Sequence, residues 1–403
     1  MDFLHAQDVI ARLSDAPRAE VESFYAECVD HGLPLADAAG RATFLWLEPE
    51  GSTADALLMR MNRISDKRNL PRGLMERVPG TELWVLTLEL PPALCASYGF
   101  VPIEGDIPEL TPPPEHGRYP GFLDPGNRAA PCGCDAAGST GWSVYSGPQA
   151  PDHSAWQGAE GSPRHSVESL DFASGSRDNH LYLPPGGSGS ATLVVLTDAD
   201  AWFGRLGLHH ALDCAIMAGQ LAPVVVVGPE CVSKEDRLAH LGARPEFVRD
   251  LAETVVPWAK ARAAAEGVDL VPGRAVLTGQ SLGGLTALLA LMEVPDVFTD
   301  ILAQSPSLWW NPENPHSPAG WQGRETDWIT DALVDYSARG AERGSRVRLT
   351  IGEQEGFGVA RVALLAELLS NAGWDAALTR YDGGHDYAWW RGALLDGLGE
   401  LLR

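Results

Sequence analysis

RAVLTGQSLGGLTALLALM, Arg274 to Met292, reads as a short apolar strand, a turn with glycine on either side of a serine, and the start of an apolar helix. Its centre, Gly279-Gln280-Ser281-Leu282-Gly283 followed by Gly284, is the nucleophile-elbow pattern. A strand that turns abruptly into a helix needs small neighbours two residues either side of the apex, where a side chain would collide with the adjoining strand or helix. The apex hydroxyl is pushed out of the sheet. The amide of Leu282 is left at a helix N-terminus, where it can receive the charge that develops on a substrate oxygen. The same letters also suit a glycine-rich turn with an incidental serine, so the flanking chain has to decide.

Outward from the elbow the rhythm is strand and helix in alternation. Strands are expected at about 166–171, 180–183, 192–196, 223–227, 275–278, 301–304, 347–351 and 376–381. Helical patterns fill the gaps at about 206–218, 245–266, 285–291, 327–339, 359–372 and 389–402. Apolar strands such as PVVVVG, separated by crossover helices, imply a mainly parallel sheet covered on both faces. The fold class is α/β, with an α/β-hydrolase as the expected architecture. Catalytic groups of such sheets gather at the carboxyl ends of the strands.

A serine hydroxyl needs a base, and histidine has the suitable unperturbed pKa. His385 in TRYDGGHDYAWWR follows the last expected strand and is the candidate; the other histidines, including His209-His210, lie in helical contexts. The carboxylate should follow the penultimate strand, where VRLTIGEQEGFG offers Glu353 and Glu355, with Glu355 preferred. The order Ser281, Glu355, His385 is that of the α/β hydrolases. A second oxyanion amide is expected after ATLVVLTDADAWF, at Ala199 or Asp200, and we take Asp200.

Upstream, 41–99 reads as short strands broken by turns. Alternation such as Leu83-Val85-Thr87-Glu89 against Trp84-Leu86-Leu88-Leu90 predicts a half-buried antiparallel sheet and a small β-sandwich. Between those strands Arg60, Arg63, Lys67, Arg68 and Arg72 form the densest basic run, read either as a solvated loop or as a contact for an anionic ligand. The stretch rich in Pro, Gly and Ser that follows places domain limits at 1–125 for the sandwich with its helical N-terminus, 126–164 for a linker and 165–403 for the hydrolase.

The formal charge of -24 provides no positive field for nucleic acid or an anionic membrane. Six scattered cysteines do not resemble a disulfide scaffold, and Cys132-Gly-Cys134 lacks further ligands, so no metal is assigned to it. With neither an export signal nor a long apolar run, a cytoplasmic enzyme is expected.

LTDADAWF, TGQSLGGLTALLA, AQSPSLWW and DGGHDYAWWR, together with ATFLWLEPEG, PGTELWVLTLELPPALCASYGF and LDPGN upstream, resemble the enterochelin (enterobactin) esterase family across nearly the whole chain. The resemblance implies a cytoplasmic esterase that cuts a catecholate tri-ester siderophore, with iron only as part of the substrate and no cofactor. It carries Ser281 and His385 over well, and its Gly-x-x-Glu pattern falls on Gly352 and Glu355. The chain departs from the family at Ala199 and Pro306, where glycine is common, and in PECVSKEDRLAHL, which replaces an arginine-rich substrate loop while keeping Arg237. A ferric tris-catecholate is aromatic and triply anionic, so Trp202, Trp309, Trp310, Trp390, Arg205, Arg237 and Arg391, near strand ends or the loops beyond them, are candidate substrate contacts. Two of the four tryptophans are expected to face ligand. Competing readings are a feruloyl-type or acyl-transferring esterase, and a catalytically idle siderophore-binding protein.

Overall fold

A computed structural model describes residues 3–52, 54–105, 121–132, 141–157, 161–187, 189–340 and 344–403. They form two compact units: Met1–Asp152 with Tyr381–Trp389, and His153–Arg380 with Trp390–Arg403.

In the first unit, helices α1 (Ala6–Leu13) and α2 (Arg18–His31) precede strands β1 (Leu35–Ala36), β2 (Arg41–Leu47), β3 (Ala56–Met61), β4 (Glu76–Arg77), β5 (Leu83–Glu89), β6 (Cys95–Ile103) and β7 (Ser143–Ser146). They make two antiparallel sheets, β1-β2-β5-β4 and β3-β6-β7. Alternate residues face each other across the sandwich, with Phe44 and Tyr98 rings 5.1 Å apart and Trp46 and Phe100 rings 4.8 Å apart. The opposite side chains, Leu45, Leu83 and Val85, pack with Val9, Leu13, Val21 and Phe24 of the two helices. The β2–β5 face expected to meet solvent is therefore covered, because the N-terminal helices supply a second apolar layer. In LDPGN, the Tyr98 hydroxyl donates to Asp124 at 2.6 Å, and burial pushes the Asp124 carboxyl up to about 6.

The stretch read as a linker contains β7, paired to β6 from Cys95↔Ser146 to Tyr98↔Ser143. Four residues, Ser-Val-Tyr-Ser, are too few to display a period, which hid this strand. Cys132 is buried and bridges Trp142, while Cys134 lies outside the described residues. Among the described residues no group of His, Cys, Asp or Glu could hold a metal ion, and no helix is long and apolar enough to cross a membrane. In the basic run, the Arg60 guanidinium lies 5.4 Å from the Trp142 ring centre and Arg72 donates to the Glu89 carbonyl at 2.9 Å. The side chains of Lys67 and Arg68 lie outside the described residues.

The second unit carries β8 (Arg164–Phe172), β9 (Gly175–Leu183), β10 (Ala191–Leu196), β11 (Val224–Pro229), β12 (Leu270–Gln280), β13 (Asp300–Gln304) and β14 (Arg346–Gly352), with β15 (Asp375–Tyr381) completing an eight-stranded sheet. Its order is β15-β14-β13-β12-β10-β11-β9-β8. The pairs β10/β11, β10/β12, β12/β13 and β13/β14 are parallel, and β8 and β9 join as an antiparallel edge. All eight expected strands are present. Helices α3 (Leu208–Met217), α4 (Lys234–Leu241), α5 (Pro245–Asp250), α6 (Val256–Ala265), α7 (Leu282–Glu293), α8 (Trp328–Ala338), α9 (Phe357–Asn371) and α10 (Tyr387–Leu401) occupy the connections. From Leu282 to Leu291 α7 is wholly buried, which explains why it is apolar on every side.

Near the β8–β9 edge, His165 stacks on Phe203 (4.9 Å) and His209 (4.8 Å), and its Nε2 lies 2.9 Å from His180 Nδ1. His180 Nε2 in turn lies 2.7 Å from Glu230 Oε1, and the His210 ring lies tilted against His209 with centres 4.3 Å apart. Burial, then the neighbouring imidazoles, lower His165 to about 4 and His209 likewise to about 4. The unfolded chain takes up these protons near its ordinary value of about 6.5, the folded chain only near 4, so stability must fall as pH drops across that window. The expected result is a Tm lower by several °C at pH 4.5 than at pH 7. His209→Phe should lessen that loss; an unchanged pH profile would remove these histidines from the acid response.

Candidate active site

β12 ends at Gln280 and α7 begins at Leu282, so Ser281 alone makes the turn, at φ 58° and ψ −115°. A non-glycine residue held there costs about 1–3 kcal/mol and persists only where its surroundings dictate it. Here the Ser281 amide donates to the Gln304 carbonyl (2.9 Å), and its own carbonyl accepts from Ser307 (2.9 Å) and Leu285 (3.1 Å). The Leu282 amide occupies the first position of α7, where helix geometry provides no intrahelical acceptor. The Ser281 hydroxyl lies 3.1 Å from that of Ser307.

The glycines are required by close approach. A Cβ on Gly283 would overlap the Thr197 hydroxyl and lie 3.2 Å from the Thr197 Cβ; one on Gly279 would lie 2.7 Å from the carbonyl carbon of Gly283. Gly283→Ala is accordingly expected to cost about 1–3 kcal/mol, read as a lower urea midpoint. Thr197→Ala in the same chain should restore most of that loss. A single variant as stable as the parent would refute this packing account.

A polar network ties the elbow to the loop after β10. Asp198, 3 % exposed and at φ 58°, accepts from Arg237 Nε (2.7 Å) and Nη2 (2.9 Å) and from Gln280 Nε2 (2.7 Å). Gln280 Oε1 accepts from Trp202 Nε1 at 3.0 Å, and the Gln280 carbonyl accepts from Arg237 Nη2 at 3.2 Å. Asp198, Gln280, Arg237 and Trp202 therefore form one bonded set. Asp200 opens a π-helical turn, Asp200–Arg205; its Oδ1 accepts from the Cys231 amide at 3.0 Å, and its Oδ2 lies 3.3 Å from Arg205 Nη2.

At the end of β14, Glu355 Oε1 accepts from the Ser305 hydroxyl at 2.5 Å and the Gly352 amide at 3.1 Å. Ser305 sits at φ 43°, and its hydroxyl accepts from Trp390 Nε1 at 2.9 Å. Glu353 instead lies 3.5 Å from Arg380, with 36 % of its side chain exposed. The geometry thus separates the two carboxylates: Glu355 is held at a strand-end cluster and Glu353 is a surface partner.

Three of the four tryptophans put forward as ligand contacts are buried: Trp202 at 0 %, Trp390 at 4 % and Trp310 at 6 % exposure. Trp202 and Trp390 orient Gln280 and Ser305 through their N–H groups, and Trp310 packs edge-on against Trp328. Trp309 is partly exposed. Arg237 is bound by Asp198, and Arg391 is buried beside the Trp156 ring, 6.0 Å from its centre. Arg205 keeps 48 % of its side chain exposed. Sequence reading missed Asp198, Gln280, Ser305 and Ser307. Their signal was polar residues at the ends of strands otherwise buried on both faces.

His385 follows β15 and lies in the Tyr381–Trp389 segment of the first unit. Its carbonyl accepts from Asn62 Nδ2 at 3.2 Å, and Asp386 Oδ2 accepts from the Ser97 amide at 2.6 Å.

The Esterase family matches residues 174–401, and the enterochelin esterase N-terminal family matches residues 41–156. Similar proteins include an iron(III) salmochelin esterase of Escherichia coli O6:H1, 33% identical over 95% of this chain and 94% of its own. An iron(III) enterobactin esterase of Dickeya dadantii is 28% identical over 98% of this chain and 95% of its own. Among solved structures, the ferric enterobactin esterase of Salmonella typhimurium shares the fold, with a TM-score of 0.77 at 23% identity, covering 94% of this chain and 98% of its own. The enterochelin esterase of Shigella flexneri gives 0.73 at 25% identity, covering 95% and 97%.

Proposed function

The chain belongs to the enterochelin esterase family, and from that premise we infer that it hydrolyses the ester bonds of a catecholate tri-ester siderophore of the enterobactin or salmochelin type. The observation that carries the reading is the elbow: a strained serine beside a helix-leading amide, in a chain whose N-terminal half also matches this family. In the proposed reaction His385 takes the Ser281 proton as the hydroxyl attacks an ester carbonyl. Glu355, oriented by Ser305 and Gly352, holds the imidazole in the productive tautomer and stabilises its charged form. Amides at Leu282 and Asp200 receive the oxyanion. Collapse of the tetrahedral adduct leaves an acyl-serine and frees the alcohol, and water activated by His385 then releases the acid.

No cofactor enters this scheme, and iron arrives and leaves with the siderophore. Arg205 and Trp309, the exposed members of the candidate set, are the proposed contacts for an anionic aromatic ligand. The proposed place of action is the cytoplasm, where cleavage frees iron from an imported complex. The match of the N-terminal half to the enterochelin esterase family favours this substrate over a feruloyl ester.

The test is incubation of the purified protein with ferric enterobactin and, separately, with a simple feruloyl ester, followed by mass analysis. Linear catecholoyl-serine products from the first support the assignment. Cleavage of p-nitrophenyl acetate with neither natural ester touched would end it.

A further inference from the structure

A general base has to be held to a fraction of an ångström, and a misplacement of about 1 Å costs on the order of 100-fold in rate. The loop that carries His385 is poorly suited to hold itself, since Gly383 and Gly384 precede the histidine. Its anchors lie on the β-sandwich. The Cys95 amide donates to the Asp382 carbonyl (2.8 Å), Asn62 Nδ2 to the His385 carbonyl (3.2 Å), the Ser97 amide to Asp386 Oδ2 (2.6 Å), and the Cys95 thiol to the Ala388 carbonyl (3.2 Å). Cys95 and Ser97 are alternate residues of β6, and the Asn62 amide donates to the Ser97 carbonyl at 3.0 Å, so the anchors are joined to one another. Within the loop, Asp386 Oδ1 accepts from Ala388 (3.0 Å), and Tyr381 stacks on Trp389 at 5.0 Å.

The glycines are explained by the same contacts. A Cβ on Gly384 would meet the Asn62 carboxamide and lie 2.6 Å from Arg63 Cγ, while one on Gly383 would lie 2.8 Å from Trp389 Cγ. Arg63 itself has φ 60°, so the turn that presents Asn62 to the histidine loop is also strained.

We propose that Asn62, Ser97 and Asp386 form a latch through which the β-sandwich positions the catalytic histidine. The proposal rests on the reading of His385 as general base. Asn62 and Asp386 are positioning residues: they act on the backbone that carries the imidazole.

The test compares full-length Asn62→Ala, Asp386→Asn and His385→Ala with the parent on p-nitrophenyl acetate, alongside hydrogen exchange of the 381–389 amides. Asn62→Ala is expected to lower kcat about 10- to 100-fold with KM within about two-fold, and to speed exchange in 381–389 while the rest of the sandwich stays protected. Asp386→Asn keeps one acceptor oxygen for the two amides and should fall between Asn62→Ala and the parent. If His385→Ala retains the parent's rate, the general-base reading fails. If His385→Ala is inactive while Asn62→Ala and Asp386→Asn keep the parent's kcat and exchange, the latch fails and the base stands. Activity loss accompanied by faster exchange throughout the sandwich would also overturn the latch, because it reports unfolding rather than positioning.

Discussion

Ser281→Ala is expected to lower kcat for ester hydrolysis by about 10^5- to 10^6-fold, the loss typical when the nucleophile of a triad that acts as a unit is removed. The residual rate would come from binding and oxyanion donors alone. The fold should survive, because alanine keeps the backbone that donates to Gln304 and accepts from Ser307 and Leu285, and forfeits only the 3.1 Å hydroxyl contact with Ser307. A Tm within a few degrees of the parent is therefore expected. Ser281→Gly should be equally inactive yet more stable, by on the order of 1 kcal/mol, since glycine alone relieves φ 58°. An alanine variant with more than about 1 % of the parent's turnover would take the nucleophile away from Ser281, and would leave Ser307 as the next hydroxyl to test. A glycine variant less stable than the alanine variant would mean that the apex strain is not real.

The central strands of the hydrolase were legible because strands buried on both faces read as apolar runs, as in PVVVVG and RAVLTG, while the edge strands β8 and β15 keep exposed residues and show the weaker pattern. The elbow was legible for a steric reason, as Gly279 and Gly283 are small where Thr197 passes behind them. What escaped was local and polar. Half of the residues of α4 are charged and only Leu241 is buried, so it shows no apolar period, although the Ser233 hydroxyl accepting from the Asp236 amide is a recognisable cap. The tryptophans show a different limit. Sequence position placed Trp202, Trp310 and Trp390 close to strand ends, but which way a ring turns depends on partners far along the chain, and Gln280 and Ser305 draw two of them inward. Arg237 was put forward from the family's substrate loop, and its ion pair could not be foreseen, since Asp198 is 39 residues away and no periodicity joins them.

That pair sets the second large expectation. Asp198→Ala should destabilise the protein by about 3 kcal/mol, the lower end for breaking a buried ion pair, because 27 % of the Arg237 side chain still reaches solvent. The cost arises from what remains: a guanidinium that has lost both carboxylate oxygens and a buried Gln280 amide that has lost the 2.7 Å bond to Asp198. The effect on rate should be of similar size. Asp198 leads directly into Ala199 and Asp200, where the second oxyanion amide is proposed, and its φ of 58° sets the direction of that loop. Freed from Arg237 and Gln280, the loop keeps the Asp200 contact with the Cys231 amide but loses the side-chain anchor that holds its strained entry residue, and loss of one oxyanion donor costs about 10^2- to 10^3-fold in kcat. Arg237→Ala is the complementary change. Because the two residues serve one interaction, the double variant should be less destabilised than the sum of the singles, with a coupling on the order of 1–3 kcal/mol. Urea midpoints of the four proteins measure that coupling directly. If the two single costs simply add, to within about 0.5 kcal/mol, the carboxylate and the guanidinium do not act together, and Arg237 is returned to the substrate as a candidate ligand for its negative charge.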